Sequence, residues 1–311
     1  MNVVEQSVVS TLSDSSLPEP RDIDVGGVRT RYYDIGTGPE TIAFVYGGNF
    51  GSSESASSAY AWNLNVRPLA ARHRVIAFDK LGQGYTEAPR RDEDYTMAAV
   101  VDHICQLLDT LKPGPVHLVG HSRGGFASAR VTLERPDLVR SLTIVSSGTL
   151  SPGVGTNEVV LAAPPYPPFS RESARWVYEN YCYQASTVTD EWLDQVMDVL
   201  QQPSYLAGVR KMTTDQLGVR VFLPALARMK RETLRWIDEG RLQRPVQLVW
   251  GANDRTVVMD RGIELFNMIA AHERRVTLNV FNESGHFPYR EHPARFNALL
   301  DQFVNQYKAR G

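Results

Sequence analysis

Ser122 lies in Gly120-His121-Ser122-Arg123-Gly124, directly after the apolar run Val116–Val119 and directly before a helix-like segment, Phe126–Glu134. A G-x-S-x-G pentapeptide in strand–turn–helix context lifts a serine hydroxyl to the apex of a tight turn, with glycine where side-chain bulk would collide. The N–H groups that open the helix then face any negative charge that develops there. A serine hydroxyl is a weak nucleophile, so it needs a base, and the base needs an orienting acid. In the Ser…Asp…His order of such turns both partners lie downstream at strand ends. Asp254 closes Gly251-Ala252-Asn253-Asp254 after the run Val246–Trp250, and His286 closes Asn282-Glu283-Ser284-Gly285-His286 after Val276–Phe281. These three are the expected catalytic residues.

The other histidines and acids fit lesser roles. His73, His103, His117 and His272 fall within or beside helices and strands, and His292 precedes Pro293 at a helix start; all read as structural or solvated. His121 flanks the serine and is expected to line the site. Asp260 sits several residues past its strand, at the start of a helix. Asp79 opens Asp79-Lys80-Leu81-Gly82-Gln83-Gly84 and is expected to order that loop by Asx-type hydrogen bonds. An oxyanion hole needs two N–H donors. One is expected from Arg123, the residue after the nucleophile. The other is expected from Gly48 or Asn49 in Tyr46-Gly47-Gly48-Asn49-Phe50-Gly51, where glycines let the backbone approach a carbonyl. The pairs Gly36-x-Gly38 and Gly82-x-Gly84 lack a dinucleotide fingerprint or a P-loop lysine, so nucleotide binding is set aside.

Apolar runs of four to six residues without alternation recur at Thr41–Tyr46, Val75–Phe78, Val116–Val119, Leu142–Val145, Val246–Trp250 and Val276–Phe281. They predict strands buried on both faces, as in a parallel sheet. Helical stripes lie between them, at Met97–Leu111 and again at Phe296–Tyr307. The expected fold class is α/β, a mostly parallel doubly wound sheet. From 148 to 243 the alternation stops; a proline-rich stretch, Ala162–Pro168, leads into helix-like segments at Ser173–Tyr183, Asp190–Gln201 and Ala225–Glu239. The organisation expected is a loose arm over 1–20, a core over 21–147 and 244–311, and a helical lid over 148–243. A lid inserted between two strands would sit over the carboxyl edge of the sheet, where open α/β sheets bind ligands.

Composition excludes several classes. Of 311 residues 42% are apolar and 22% charged, which rules out disorder and fibrous repeats. A formal charge of −2 gives no reason to expect nucleic acid or an anionic membrane as partner. No apolar run has the length of a membrane span, and the N-terminus lacks the features of a signal peptide. Two distant cysteines, Cys105 and Cys182, exclude a disulfide scaffold, so cytoplasmic residence is the expectation. No metal-type spacing occurs, and neither metal nor cofactor is expected. The expected partner is a small-molecule substrate, and a homodimer is one assembly the chain allows.

Over roughly residues 22–309 the chain resembles α/β-hydrolase-fold enzymes. Within them it is most similar to the C–C bond hydrolases of aromatic meta-cleavage pathways. The resemblance is carried by Trp62-Asn63-Leu64-Asn65-Val66-Arg67-Pro68-Leu69-Ala70, by Arg74–Asp79, by Gly285-His286-Phe287 and by Glu291–Asn297. It implies a cofactor-free serine hydrolase, with His286 also helping to ketonise a dienol if the bond cleaved is C–C. The chain departs from that family at its substrate-recognition positions. Tyr46 replaces a His, His121 an Asn, Phe287 a Trp, Val196 a lid Arg that holds the dienoate carboxylate, and Ala61 an Asn. The expected substrate is therefore a small aromatic-derived acyl compound, either a meta-cleavage-type ketoacid or, with the same triad, an ester or lactone. A catalytically dead ligand receptor is the third reading. Expected substrate-binding residues are Arg123, His121, Phe287 and Trp176, the last from a lid rich in aromatics. In fluoroacetate dehalogenases, which share the fold, an Arg after the nucleophile holds the substrate carboxylate. Arg123 is accordingly expected to bind an anionic substrate, or else to pair with an acid such as Glu134 or a lid carboxylate.

Overall fold

A computed structural model describes residues 16–48, 50–153 and 163–309. Eight strands form one sheet in the order β1-β2-β4-β3-β5-β6-β7-β8. They are β1 (Arg21–Val25), β2 (Val28–Ile35), β3 (Thr41–Val45), β4 (Arg74–Phe78), β5 (Val116–His121), β6 (Val139–Val145), β7 (Val246–Gly251) and β8 (Val276–Phe281). The first two pairings, β1 with β2 and β2 with β4, are antiparallel and every later one is parallel. Every residue of β3, β5 and β7 is buried, as their unalternating apolar sequences require of strands covered on both faces.

The core helices are α1 (Asn63–Ala70), α2 (Met97–Leu111) and α3 (Arg123–Glu134). Four lid helices follow: α4 (Arg171–Tyr181), α5 (Asp190–Leu200), α6 (Pro203–Thr213) and α7 (Leu223–Asp238). The core then resumes with α8 (Met259–Ala270), a short α9 (Pro288–Glu291) and α10 (Pro293–Gln306). The apolar stripe of α2 is buried, and Thr96 caps its start by accepting from the Ala99 N–H. Between β6 and β7 the described chain contains helices and no strand. Of the expected N-terminal arm, residues 1–15 lie outside the described residues, while Ser16 is tied down by Arg67, whose Nε donates to the Ser16 carbonyl at 2.7 Å. None of the described helices is long and apolar enough to cross a membrane.

Two apolar clusters cover the two faces of the sheet. One of them includes Trp62, which is fully buried at the end of a 3₁₀ turn, Ala59–Trp62. Its ring stacks on Phe44 of β3 at 4.6 Å and lies 4.0 Å from Tyr289 of α9. Trp62 thus joins the sheet to the segment that follows His286. Truncating a fully buried Trp removes apolar contacts and leaves a cavity, so Trp62→Ala should destabilise the fold by about 3–5 kcal/mol. Denaturant titration of the two proteins measures the loss; a change below about 1 kcal/mol would contradict the packing described.

Candidate active site

The turn between β5 and α3 places Ser122 at φ 51° and ψ −123°. It is held there from both sides: the Ser122 N–H donates to the Val145 carbonyl at 2.8 Å, and Ser147 Oγ donates to the Ser122 carbonyl at 2.6 Å. The glycines around it are steric necessities. A Cβ on Gly120 would stand 2.4 Å from the Gly124 carbonyl oxygen, and one on Gly124 would stand 2.3 Å from that of Val45.

Asp254 and His286 come to the same place from the ends of β7 and β8. Asp254 Oδ2 lies 2.7 Å from His286 Nδ1. The other oxygen, Oδ1, accepts from the N–H groups of Thr256 and Val257, both at 2.9 Å, and from Thr256 Oγ1 at 2.7 Å. A carboxylate with this many donors is aimed in one direction only. Both side chains are buried. The proton on His286 belongs at Nδ1, facing the carboxylate, which leaves the lone pair on Nε2. The His286 main chain is anchored as well, its N–H donating to the Tyr181 carbonyl at 2.7 Å. Asp260 is exposed in the first turn of α8 and takes no part.

Ser122 and His286 border one cavity of about 70 Å³. Gly47, Gly48 and Arg123 line one side; His121, Phe287 and Tyr289 line another; Tyr178, Tyr181 and Trp192 close it from the lid. Among the described residues, neither the Gly48 nor the Arg123 N–H has a protein acceptor. Asn49, the other expected donor, lies outside the described residues. His121 and Phe287 line the cavity. Trp176 is not among its walls. Two positions along a helix is about 200° of rotation, so Trp176 faces away from Tyr178, while Tyr181, one turn on, shares its face. Trp192 of α5 fills the aromatic role in its place.

Arg123 has its Nε buried without a hydrogen-bond partner and its guanidinium 5.9 Å from the Phe222 ring. The acid that could have paired with it, Glu134, instead binds Arg130 at 2.6 Å. Among the described residues no carboxylate lies within ion-pair distance of Arg123. Val196, where the resembled family carries its lid Arg, is a buried side chain of α5.

Four residues were not anticipated. Tyr289 borders the cavity and directs its hydroxyl at His121. Thr256 steadies Asp254, and Lys80 sits buried beneath Gly47 and Gly48. Arg290, also buried, lies behind the cavity wall, 4.0 Å from the Trp192 ring, with its Nη1 on the Ala61 carbonyl at 2.9 Å. The run Phe287-Pro288-Tyr289-Arg290 directly after His286 was the available signal for two of them.

A model of the alpha/beta hydrolase family matches residues 47–299. The chain belongs to that family. It is 27% identical over 305 residues to a 2-hydroxy-6-oxononadienedioate/2-hydroxy-6-oxononatrienedioate hydrolase of Paraburkholderia xenovorans, covering 96% of this chain and 98% of the relative. It is 29% identical over 297 residues to a 2-hydroxymuconate semialdehyde hydrolase of a Pseudomonas strain, covering 93% and 95%. Among solved structures, a meta-cleavage product hydrolase of Pseudomonas fluorescens superposes with a TM-score of 0.74 at 24% identity, covering 93% of this chain and 98% of that one. An N-acyl homoserine lactone degrading enzyme shares the fold at a TM-score of 0.67 and 22% identity, covering 91% and 100%.

The tautomer of His121 follows from its partners. Nε2 lies 2.9 Å from the His286 carbonyl oxygen, which only accepts, so Nε2 carries the proton. Nδ1 is left to accept from the Tyr289 hydroxyl at 3.4 Å. Burial first, and then the neighbouring His286, hold its pKa well below the free value. The unfolded chain therefore takes up a proton below pH about 6.5 that the folded chain does not, so this residue lowers stability as the medium acidifies. Nitrogen NMR of the ring should show a neutral Nε2–H tautomer at pH 6; an imidazolium there would contradict the assignment.

Proposed function

We propose that this hydrolase is a serine enzyme that cleaves beside a carbonyl in a small, aromatic-derived substrate carrying a carboxylate or enolate. Meta-cleavage-type ketoacids are the first class to test. The observation that carries this reading is the convergence, on one cavity, of Ser122, a His286 oriented by Asp254, two N–H groups without acceptors, and a guanidinium without an acid. The names of the relatives above support the same substrate class.

In this reading Ser122 Oγ attacks the carbonyl carbon as its proton passes to Nε2 of His286. Asp254 keeps the Nδ1 proton in place and stabilises the imidazolium. The oxyanion accepts from the N–H of Arg123 and from that of Gly48. His286 then gives its proton to the leaving group: carbon for a ketoacid, oxygen for an ester or lactone. Water, deprotonated by the same imidazole, releases the acyl group as a carboxylic acid. For a ketoacid, His286 acts once earlier, moving the dienol proton to carbon so that the C–C bond breaks toward a stabilised carbanion. Arg123 holds the anionic end of the substrate by charge-assisted hydrogen bonds.

A carboxylesterase or lactonase is the second reading. It is favoured by Val196 and Ala61, an apolar pair where the C–C hydrolases carry polar residues. A turnover screen of dienoic ring-cleavage products beside aryl esters and lactones separates the two. Failure of all three classes, together with no labelling of Ser122 by a fluorophosphonate, would leave a ligand receptor.

Ser122→Ala should keep its fold and abolish both labelling and turnover. Asp254→Asn should lose roughly 10⁴-fold in kcat, because the imidazole then takes the wrong tautomer. Asp260→Asn, at an exposed position, should be close to wild type. The reverse ranking of the two Asn variants would show that the acid is misassigned.

Arg123→Met should lower kcat/KM on carboxylate-bearing substrates relative to matched neutral ones. A charge-assisted contact is worth roughly 1.5–3 kcal/mol, which is about 10- to 150-fold. An unchanged ratio would remove the anion-binding role and leave Arg123 its backbone N–H alone.

A further inference from the structure

We propose that Lys80 is a positioning residue for the oxyanion hole, acting by clamping the carbonyl groups of Gly47 and Gly48 from behind. The proposal rests on the serine-hydrolase reading above. Lys80 follows β4 and Asp79, and its side chain is buried, with 1% of the residue exposed. Its Nζ donates to the Gly47 carbonyl at 2.8 Å and to the Gly48 carbonyl at 3.0 Å. The same atom lies 4.6 Å from the centre of the Tyr46 ring, and the Lys80 N–H donates to the Tyr46 hydroxyl at 3.2 Å. Among the described residues no carboxylate forms an ion pair with it. Its hydrogen-bond acceptors and the aromatic face it lies against come from residues 46–48, and the Asp79 carboxylate adds a favourable charge.

The geometry of a peptide unit turns this clamp into an aiming device. In a planar trans peptide the C=O and N–H point in opposite directions. With the Gly47 carbonyl held on Nζ, the Gly48 N–H points away from Lys80. Gly48 borders the cavity beside Ser122, and its N–H has no acceptor among the described residues. The loop has little other means of holding that orientation. Gly47 and Gly48 carry no Cβ, and Gly48 is at φ 75°, so the peptide between them is free to rotate unless something grips it. Larger side chains are excluded at Gly47, where a Cβ would stand 2.9 Å from Ser122 Cβ. The ammonium therefore supplies the order that side chains there cannot. It also polarises the peptide it holds: ammonium, carbonyl, N–H and oxyanion form one aligned chain, which strengthens as negative charge develops. Burial, and then the like charge of Arg123, lower the pKa of Lys80, while Asp79 opposes the shift.

The test uses the full chain and two variants, with an aryl ester or ketoacid that the wild type turns over and phenylboronic acid as the tetrahedral-adduct probe. Lys80→Met keeps bulk and removes the donor; Lys80→Gln keeps a neutral N–H that reaches one carbonyl at most. Displacing one oxyanion donor costs up to about 10²–10³ in kcat. Lys80→Met should lose about 10- to 100-fold in kcat, with KM held within about threefold and boronate affinity weakened by the same factor as kcat/KM. Lys80→Gln should fall between it and wild type, and it carries the test if the Met variant does not fold. Wild-type kcat in a folded variant would overturn the proposal. So would a loss confined to KM with boronate affinity unchanged, since that is the mark of a distorted pocket rather than a displaced donor. A wild-type chain that neither reacts with a fluorophosphonate nor turns over any of the substrates would instead overturn the serine-hydrolase reading, and this proposal with it.

Discussion

Ser122 sits at φ 51° and ψ −123°, in a region of backbone space where an L-residue is held at a cost of order 1–3 kcal/mol. The rest of the core is arranged so that this conformation persists. The turn must be gripped by neighbours on both sides, and it is, through the Val145 carbonyl at the end of β6 and the hydroxyl of Ser147 just beyond it. It must have room, and the two glycines give it: Gly124 lies directly against the carbonyls of Val45 and Tyr46 at the end of β3. That close approach in turn brings the Gly47–Gly48 loop to the nucleophile. Ser122 and the Gly47–Gly48 loop are adjacent because the glycines let the two turns approach this closely.

The charge around the cavity is one-sided. Arg123 and Lys80 point at or lie beneath it, and Arg290 backs its wall, while Asp254 is committed to His286, Thr256 and Val257. Lys80 and Arg290 are met by backbone carbonyls, the cheapest neutral acceptors a folded chain offers, and each lies over an aromatic ring. Arg123 differs in that, among the described residues, its guanidinium makes no hydrogen bond to a carbonyl. Among the described residues this leaves a positive charge at the edge of the cavity without a protein counter-ion. In the reading proposed above this charge, and not the triad, would separate an anionic substrate from a neutral ester.

Most of the core was legible because its signals are local. The elbow is five consecutive residues, and Asp254 and His286 announce themselves by closing strands. The strands expected at Thr41–Tyr46 and Val246–Trp250 differ from those formed by one residue at an end, where hydrogen bonding decides and hydrophobicity does not. The lid was harder. Its helix α6, with Pro203 at the start and Gly208 within, has the composition of a loop; packing at Tyr205 and Met212 makes it a helix. Trp176 and Trp192 are indistinguishable in sequence, since only the rotation of α4 and α5 against the core decides which ring reaches the cavity. Lys80 was out of reach for another reason: a lysine after a strand reads as solvated until the fold closes over it.

The lid is also more than a cover. Tyr181, the last residue of α4, accepts the His286 N–H through its carbonyl, and a Cβ on Gly285 would stand 2.4 Å from that same oxygen. The lid backbone therefore lies flat against the loop that carries the base. On the other side, Tyr178 donates to the Ala56 carbonyl at 2.8 Å and Tyr205 to that of Ser52 at 2.9 Å, which ties the lid to the segment following the oxyanion glycines. These contacts come from α4 and α6 and grip both halves of the reactive geometry. A movement of α4 that opened the cavity at Tyr181 would have to break the His286 hydrogen bond or carry His286 with it. The opening of the cavity at Tyr181 is thus coupled to the placement of the His286 ring.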